Sequence, residues 1–236
     1  MGIIDRIRSV ILSKTIDSKH RTIGVEEECI IYDKKNRRLS VNQGTKFSAA
    51  DLSNTMNEKS NKNGSYSIEP GGQLEWSSLP FSNIHDIKYS MEIHKKTLNK
   101  VIKKEKLKIL DYSVEPVFEP NDISLINQLK YQLMDENMAK VDTLGRWMMR
   151  NTASIQINFD FESERELEEM VFIADCLQPV SSYLFSNAPF WKNKLVLNQN
   201  IRYLIWEKTD KYRCRNLIDH GIIEPKGLVN NYIKYM

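Results

Sequence analysis

Apolar positions along the chain change period several times, and each change predicts an element. In residues 3–13, Ile3, Ile4, Ile7, Val10 and Ile11 fall on one helical stripe, which predicts an amphipathic opening helix. Residues 22–32 (TIGVEEECIIY) are rich in β-forming residues and predict a strand. From 36 to 65 the chain is polar, with Asn, Ser, Gly and Lys recurring, and predicts loop with little regular structure. Residues 65–77 (SYSIEPGGQLEWS) predict a strand interrupted by a Pro-Gly-Gly turn or bulge. Ile84, Ile87, Met91, Leu98 and Ile102 keep helical spacing, predicting a helix over 83–104 with Ser82 as its N-cap. A strand is expected near 108–115.

The clearest pattern runs from Thr152 to Phe161. Thr152, Ser154, Gln156, Asn158 and Asp160 alternate strictly with Ala153, Ile155, Ile157, Phe159 and Phe161. Period two over ten residues predicts a strand with one packed face and one polar face. A long helix is expected over 163–186, kinked or broken at Pro179. Together these elements predict an α+β fold, a mainly antiparallel sheet with helices covering one side, while length alone allows one domain or two.

Composition narrows the function classes. The chain has 236 residues, enough to bury a real core, and is 41% hydrophobic and 28% charged. Its 34 basic and 31 acidic residues leave a net charge of only +3, which points away from nucleic acid or a membrane surface as partner. The basic run from Lys95 to Lys108 is read as a solvated face. Cys29, Cys176 and Cys214 are odd in number and lack metal spacing, so reduced thiols in a cytoplasmic protein are expected. No stretch of 18 apolar residues or signal-type segment occurs, consistent with a soluble, unexported chain.

Candidate chemistry lies on the strands. Glu26 and Glu28 point to one face of the 22–32 strand, and Glu27 points to the other. Two like charges on a half-buried face demand compensation, and a divalent cation such as Mg2+ or Mn2+ suits carboxylates. A solvent-facing edge guarded by charge is the competing reading. Glu27, sharing its face with Val25, Cys29 and Ile31, needs either an edge or a basic partner. Glu69, Gln73 and Glu75 share parity around the Gly71-Gly72 pair, where a ligand or another backbone can approach closely. A plain turn is the alternative there. Arg146, Arg150 and Arg202 are candidates for gripping carboxylate or phosphate. Four histidines (His20, His85, His94, His220) lie outside these segments, and no Ser/His/Asp or Cys/His constellation is visible.

The segments IGVEEE, IEPGGQLEWSSLP, MMRNTASIQINFDF, LQPVSSYLFSNAPF and RYLIWEKTD resemble, in the same order, the glutamate–cysteine ligases of the plant and proteobacterial type. The resemblance covers roughly residues 20–225. It implies a glutamine-synthetase-like fold, a curved antiparallel sheet forming a funnel with helices on its outer side. It implies a reaction that joins the γ-carboxyl of glutamate to the amine of cysteine at the expense of ATP. By the same resemblance Glu26, Glu28, Glu69 and Glu75 hold Mg2+ (or Mn2+), Gln73, Thr152, Gln156 and Asn158 line the amino-acid and nucleotide sites, and Arg202 and Arg150 are the catalytic cations. The resemblance also leads us to expect that the chain stops inside the domain, with the rest of the family's sequence following on or supplied by a second chain. Two other classes stay open: a ligase of the same fold with another acceptor amine, and a non-catalytic substrate-binding half. A two-carboxylate hydrolase would need an isolated acid–base pair instead of four clustered glutamates.

Overall fold

The structure is a computed structural model and describes residues 2–44, 46–140, 143–197, 200–210 and 214–235. Its centre is β1 (Ile23–Tyr32), which pairs on both edges. On one side it meets β3 (Leu74–Ser77), antiparallel, with Glu28 opposite Glu75 and Glu26 opposite Ser77. On the other side β5 (Ile155–Phe159) runs antiparallel along the first half of β1, with Gln156 opposite Glu26. The short β4 (Lys108–Leu110) takes the second half. β2 (Ser65–Ile68) closes the outer edge as a hairpin with β3. The expected α+β class with an antiparallel sheet therefore holds, and the Pro-Gly-Gly interruption is a turn that reverses the chain.

The apolar side of this sheet is covered by helices. α3 (Ile84–Lys104) and α2 (Ala49–Lys59) pack Leu98, Val101, Ile102, Leu52 and Met56 against Ile31, Tyr66, Leu74 and Trp76. Trp76 is fully buried and stacks on His94 with ring centroids 4.5 Å apart. That buried histidine occupies the α3 face between Met91 and Leu98, and its Nδ1 lies 2.9 Å from the Tyr66 hydroxyl. Burial drives its pKa down to about 4, so it is a neutral core residue near pH 7.

Several boundaries differ from the sequence-based expectations. The polar stretch 36–65 contains α2, nucleated by a reciprocal cap between Ser48 and Asp51. α3 is capped by Asn83, not Ser82, because the Asn83 side chain accepts from the N–H of His85 and Asp86. α1 (Ile3–Ile11) is amphipathic as expected, but none of its residues is buried. Two further helices, α4 (Leu129–Lys140) and α5 (Gly145–Asn151), precede β5, so Arg150 and Asn151 are helical and Thr152 is a cap. α6 (Glu164–Leu184) runs through Pro179 without a break. A two-stranded ribbon, β6 (Phe190–Trp191) with β7 (Lys194–Leu195), then leads to α7 (Ile201–Glu207) and α8 (Leu228–Tyr235).

The packed face expected for β5 is the main correction. Ile155, Ile157 and Phe159 are 61%, 53% and 56% exposed. Alternation places them on the side of the sheet shared with Val25 and Glu27, yet the α2–α3 layer does not extend over them. Among the described residues no helix is long and apolar enough to cross a membrane.

Candidate metal and substrate site

The polar face of the sheet gathers three carboxylates. Glu28 comes from the middle of β1, Glu75 from its partner position on β3, and Glu69 from the start of the turn that joins β2 to β3. The turn is closed by Gly72 N–H donating to the Glu69 carbonyl (2.8 Å) and Glu69 N–H donating to the Gln73 carbonyl (2.9 Å). Gly72 adopts φ +79°, a conformation that favours glycine. Gly71 has a different constraint: a Cβ there would lie 2.3 Å from the Arg150 carbonyl oxygen. The turn is thus seated against the end of α5.

One oxygen from each of Glu28, Glu69 and Glu75 lies within 4.8 Å of the others. Two unit charges about 4 Å apart near a protein surface repel by roughly 4 kcal/mol. Burial together with Glu75 and Glu28 pushes the Glu69 carboxyl up to about 7, with Lys130 pulling the other way. Burial also raises Glu28, against the Ser154 hydroxyl, which donates to it at 3.1 Å, and against Arg202. Ser67 donates to Glu75 at 2.8 Å. Among the described residues none of the three carboxylates enters an ion pair. An all-oxygen, half-buried and mutually repelling donor set fits a hard divalent cation such as Mg2+ or Mn2+.

Beside the cluster lies a cavity of about 240 Å3. Glu28, Glu69, Gln73, Thr152, Ser154, Gln156 and Arg202 supply its polar wall, and Met134, Met148, Met149, Tyr131 and Trp206 its apolar one. Gln73 is 2% exposed and donates through Nε2 to the Thr152 carbonyl at 2.8 Å. Among the described residues its Oε1 is buried without a partner, an acceptor available to a ligand. Arg202, on α7, likewise has a buried Nε with no partner among the described residues. Burial lowers its pKa, with the attraction of Glu28 opposing.

Other expected site residues are arranged differently. Glu26 shares the face of Glu28, but its carboxylate accepts from Gln156 Nε2 (2.8 Å) and Asn158 Nδ2 (3.2 Å) and stands outside the three-glutamate group. Asn158 does not line the cavity. Thr152 lines it, while its hydroxyl donates to the Met148 carbonyl. Arg150 is not brought to the cluster. Its Nη1 donates to the carbonyls of Pro120 (2.9 Å) and Ile123 (2.8 Å), and its Nη2 pairs with Asp135 (2.5 Å). From the last turn of α5 this side chain ties the 120–123 turn to α4. Arg146 meets the same Asp135 at 2.9 Å. Glu27 has its basic partner, Lys95, at 3.6 Å across the covered face. Residues not singled out from the sequence also matter: Ser154 was visible in the alternating strand, but Ser67, Lys130 and the apolar wall carry no local signal of a site.

A sequence model of glutamate-cysteine ligase family 2 matches residues 22–227. The chain belongs to this family. Among its relatives, the glutamate–cysteine ligase, chloroplastic, of Medicago truncatula is 34% identical over 149 residues, 63% of this chain and 29% of the relative. The proteins of the same name from Arabidopsis thaliana and Brassica juncea are 34% and 33% identical over the same 63% of this chain, and 28% and 29% of their own lengths are covered. The chain therefore matches less than a third of the length of these curated relatives. Within the family match lie all of the glutamates, Gln73, Thr152, Arg150 and Arg202 discussed above.

Proposed function

We propose that the chain carries the cation-binding core of an ATP-dependent glutamate–cysteine ligase, in which the γ-carboxyl of glutamate is joined to the amine of cysteine to give γ-glutamylcysteine for glutathione synthesis. The observation that carries this reading is the convergence of Glu28, Glu69 and Glu75 beside a cavity with unpartnered polar atoms, in a chain of this family. A carboxylate is a poor electrophile, and activation as an acyl phosphate requires charge stabilisation during phosphoryl transfer. A bound Mg2+ or Mn2+ would supply that Lewis acidity.

In this reading Glu28, Glu69 and Glu75 hold the cation, with Glu26 alongside on the same face. Arg202, on the polar wall of the cavity, offers positive charge to phosphate or carboxylate. The free Gln73 Oε1 accepts from an ammonium group, and Thr152 and Gln156 border the same cavity. Asn158 acts through Glu26, and Arg150 through the turn it supports. Residues 1–236 then form the N-terminal portion of one catalytic domain, with the sheet curved into a funnel and helices outside, in a soluble cytoplasmic enzyme whose partners are small molecules. The uncovered Ile155, Ile157 and Phe159 support a contribution from further family sequence, in the same or a second polypeptide.

An assay of ADP release with glutamate and a panel of amines tests the activity. Release with cysteine as acceptor is expected; release with other amines but not with cysteine transfers the site to a related carboxylate–amine ligase.

A further inference from the structure

Glu115 lies between β4 and α4 and is completely buried. Its carboxylate collects four donors. Oε1 accepts from the Tyr32 hydroxyl at 2.5 Å and from the N–H of Val117 and Phe118 at 3.1 and 3.3 Å. Oε2 accepts from Arg38 Nη1 at 3.2 Å. The Arg38 side chain is itself only 6% exposed. Burying an ion pair is a poor source of stability, because the desolvation of both charges matches or exceeds their attraction. The second arm of the guanidinium supplies a reason for keeping it: Arg38 Nη2 donates to the Gly71 carbonyl at 2.7 Å.

Gly71 sits in the turn that presents Glu69 two residues before it and Gln73 two residues after it. That turn is held on three sides. Arg150's backbone blocks it at Gly71, the Ile126 N–H holds the Pro70 carbonyl at 2.8 Å, and Arg38 holds the Gly71 carbonyl. The planar fork of arginine lets one side chain grip the carboxylate and the carbonyl together. Glu28, Glu69 and Glu75 repel one another until a cation arrives, so Glu69 stays in place only if its backbone is fixed beforehand.

The geometry points to Arg38 as a positioning residue for the cation site: fixed by Glu115 and Tyr32, it anchors the Gly71 carbonyl and thereby aims Glu69 at Glu28 and Glu75. This inference rests on the cation-site reading above for its purpose, but not for its geometry.

The test compares three variants. Arg38→Lys keeps the charge but cannot span both partners. The double variant Arg38→Met/Glu115→Gln removes both charges and strands neither. Met56→Ala, in the core behind the sheet, controls for general destabilisation. Amide exchange of residues 69–73 is followed in cation-free protein, and Mn2+ affinity is read by electron paramagnetic resonance. Both Arg38 variants are expected to speed exchange at the Glu69 and Gly72 amides about tenfold or more while other core amides hold. They are also expected to weaken Mn2+ binding about tenfold. Met56→Ala is expected to lower Tm and leave both readouts unchanged. Wild-type exchange across 69–73 in a folded Arg38 variant overturns the inference. So does parallel exchange throughout the chain, or loss of the fold in both Arg38 variants. If the wild-type chain binds no Mn2+ but its turn still loosens without Arg38, the cation reading fails and the brace stands.

Discussion

The two strands flanking β1 meet the same polar face in opposite ways. On the β3 side the chain is braced: the turn before it packs on α5, is held by Arg38 and Ile126, and presents Glu69 and Glu75 beside Glu28. On the β5 side the strand is exposed throughout, its polar residues Gln156 and Asn158 hold Glu26, and its apolar residues face solvent. The contrast shows what sets a carboxylate cluster apart from a charged strand. Glu26 is met by side-chain donors among exposed neighbours, whereas Glu69 is half-buried, has no cationic partner at contact distance among the described residues, and is held by its backbone where electrostatics alone would move it.

That contrast can be broken by substitution. The largest effect is expected at the seat of the turn. Gly71→Ala places a methyl group 2.3 Å from the Arg150 carbonyl oxygen, and its three nearest contacts are all Arg150 backbone atoms, which cannot swing aside as a side chain would. A loss of about 3 kcal/mol is expected in urea unfolding, at the strained end of ordinary substitutions. Next is Arg150→Met, which leaves Asp135 without one cation and frees the Pro120 and Ile123 carbonyls. Calorimetry should show a loss of about 2–3 kcal/mol, with cation affinity falling only as far as the turn loosens.

A smaller effect follows from pH. The folded-state pKa of Glu69 is raised, to about 7, so the protonated carboxyl is the form the fold prefers. Its contribution is fully present below about pH 4.5 and is lost as pH rises through about 7. In chelated protein Tm should therefore fall between pH 5 and 8 by about 2–4 °C, and Mg2+ should remove the decline. A Glu69→Gln chain should show a flatter profile. The smallest effect belongs to the open strand: Ile157→Ser should change stability by about 0.5 kcal/mol or less, because this side chain already faces solvent.

Much of the site could be read from residue spacing because it depends on period two. Glu26 and Glu28 share a face by parity, and the Gly71-Gly72 pair marks where another backbone approaches. Parity puts Glu69 and Glu75 on one face, but the chain reverses between them, and the hairpin, not a continuous strand, brings Glu69 to Glu75. Other features depended on contacts that local pattern does not encode. Alternation separates the two faces of β5 but says nothing of what covers them. The end of α5 carries Arg150 toward Asp135, a direction fixed by the packing of α4. α2 was hidden because Asp51, Ser53, Asn54, Thr55 and Asn57 dilute the spacing of Ala49, Leu52 and Met56. Arg38 and Glu115 are 77 residues apart and meet only through the fold.

The most direct test of the account is calorimetric titration of the chain with Mn2+ and Mg2+, set beside Glu69→Gln and Glu26→Gln. Saturable binding to the wild-type chain is predicted, weakened at least about tenfold by Glu69→Gln and only a few-fold by Glu26→Gln. Equal affinity in the wild-type and Glu69→Gln chains, with both folded, would contradict the assignment of Glu28, Glu69 and Glu75 as a cation site.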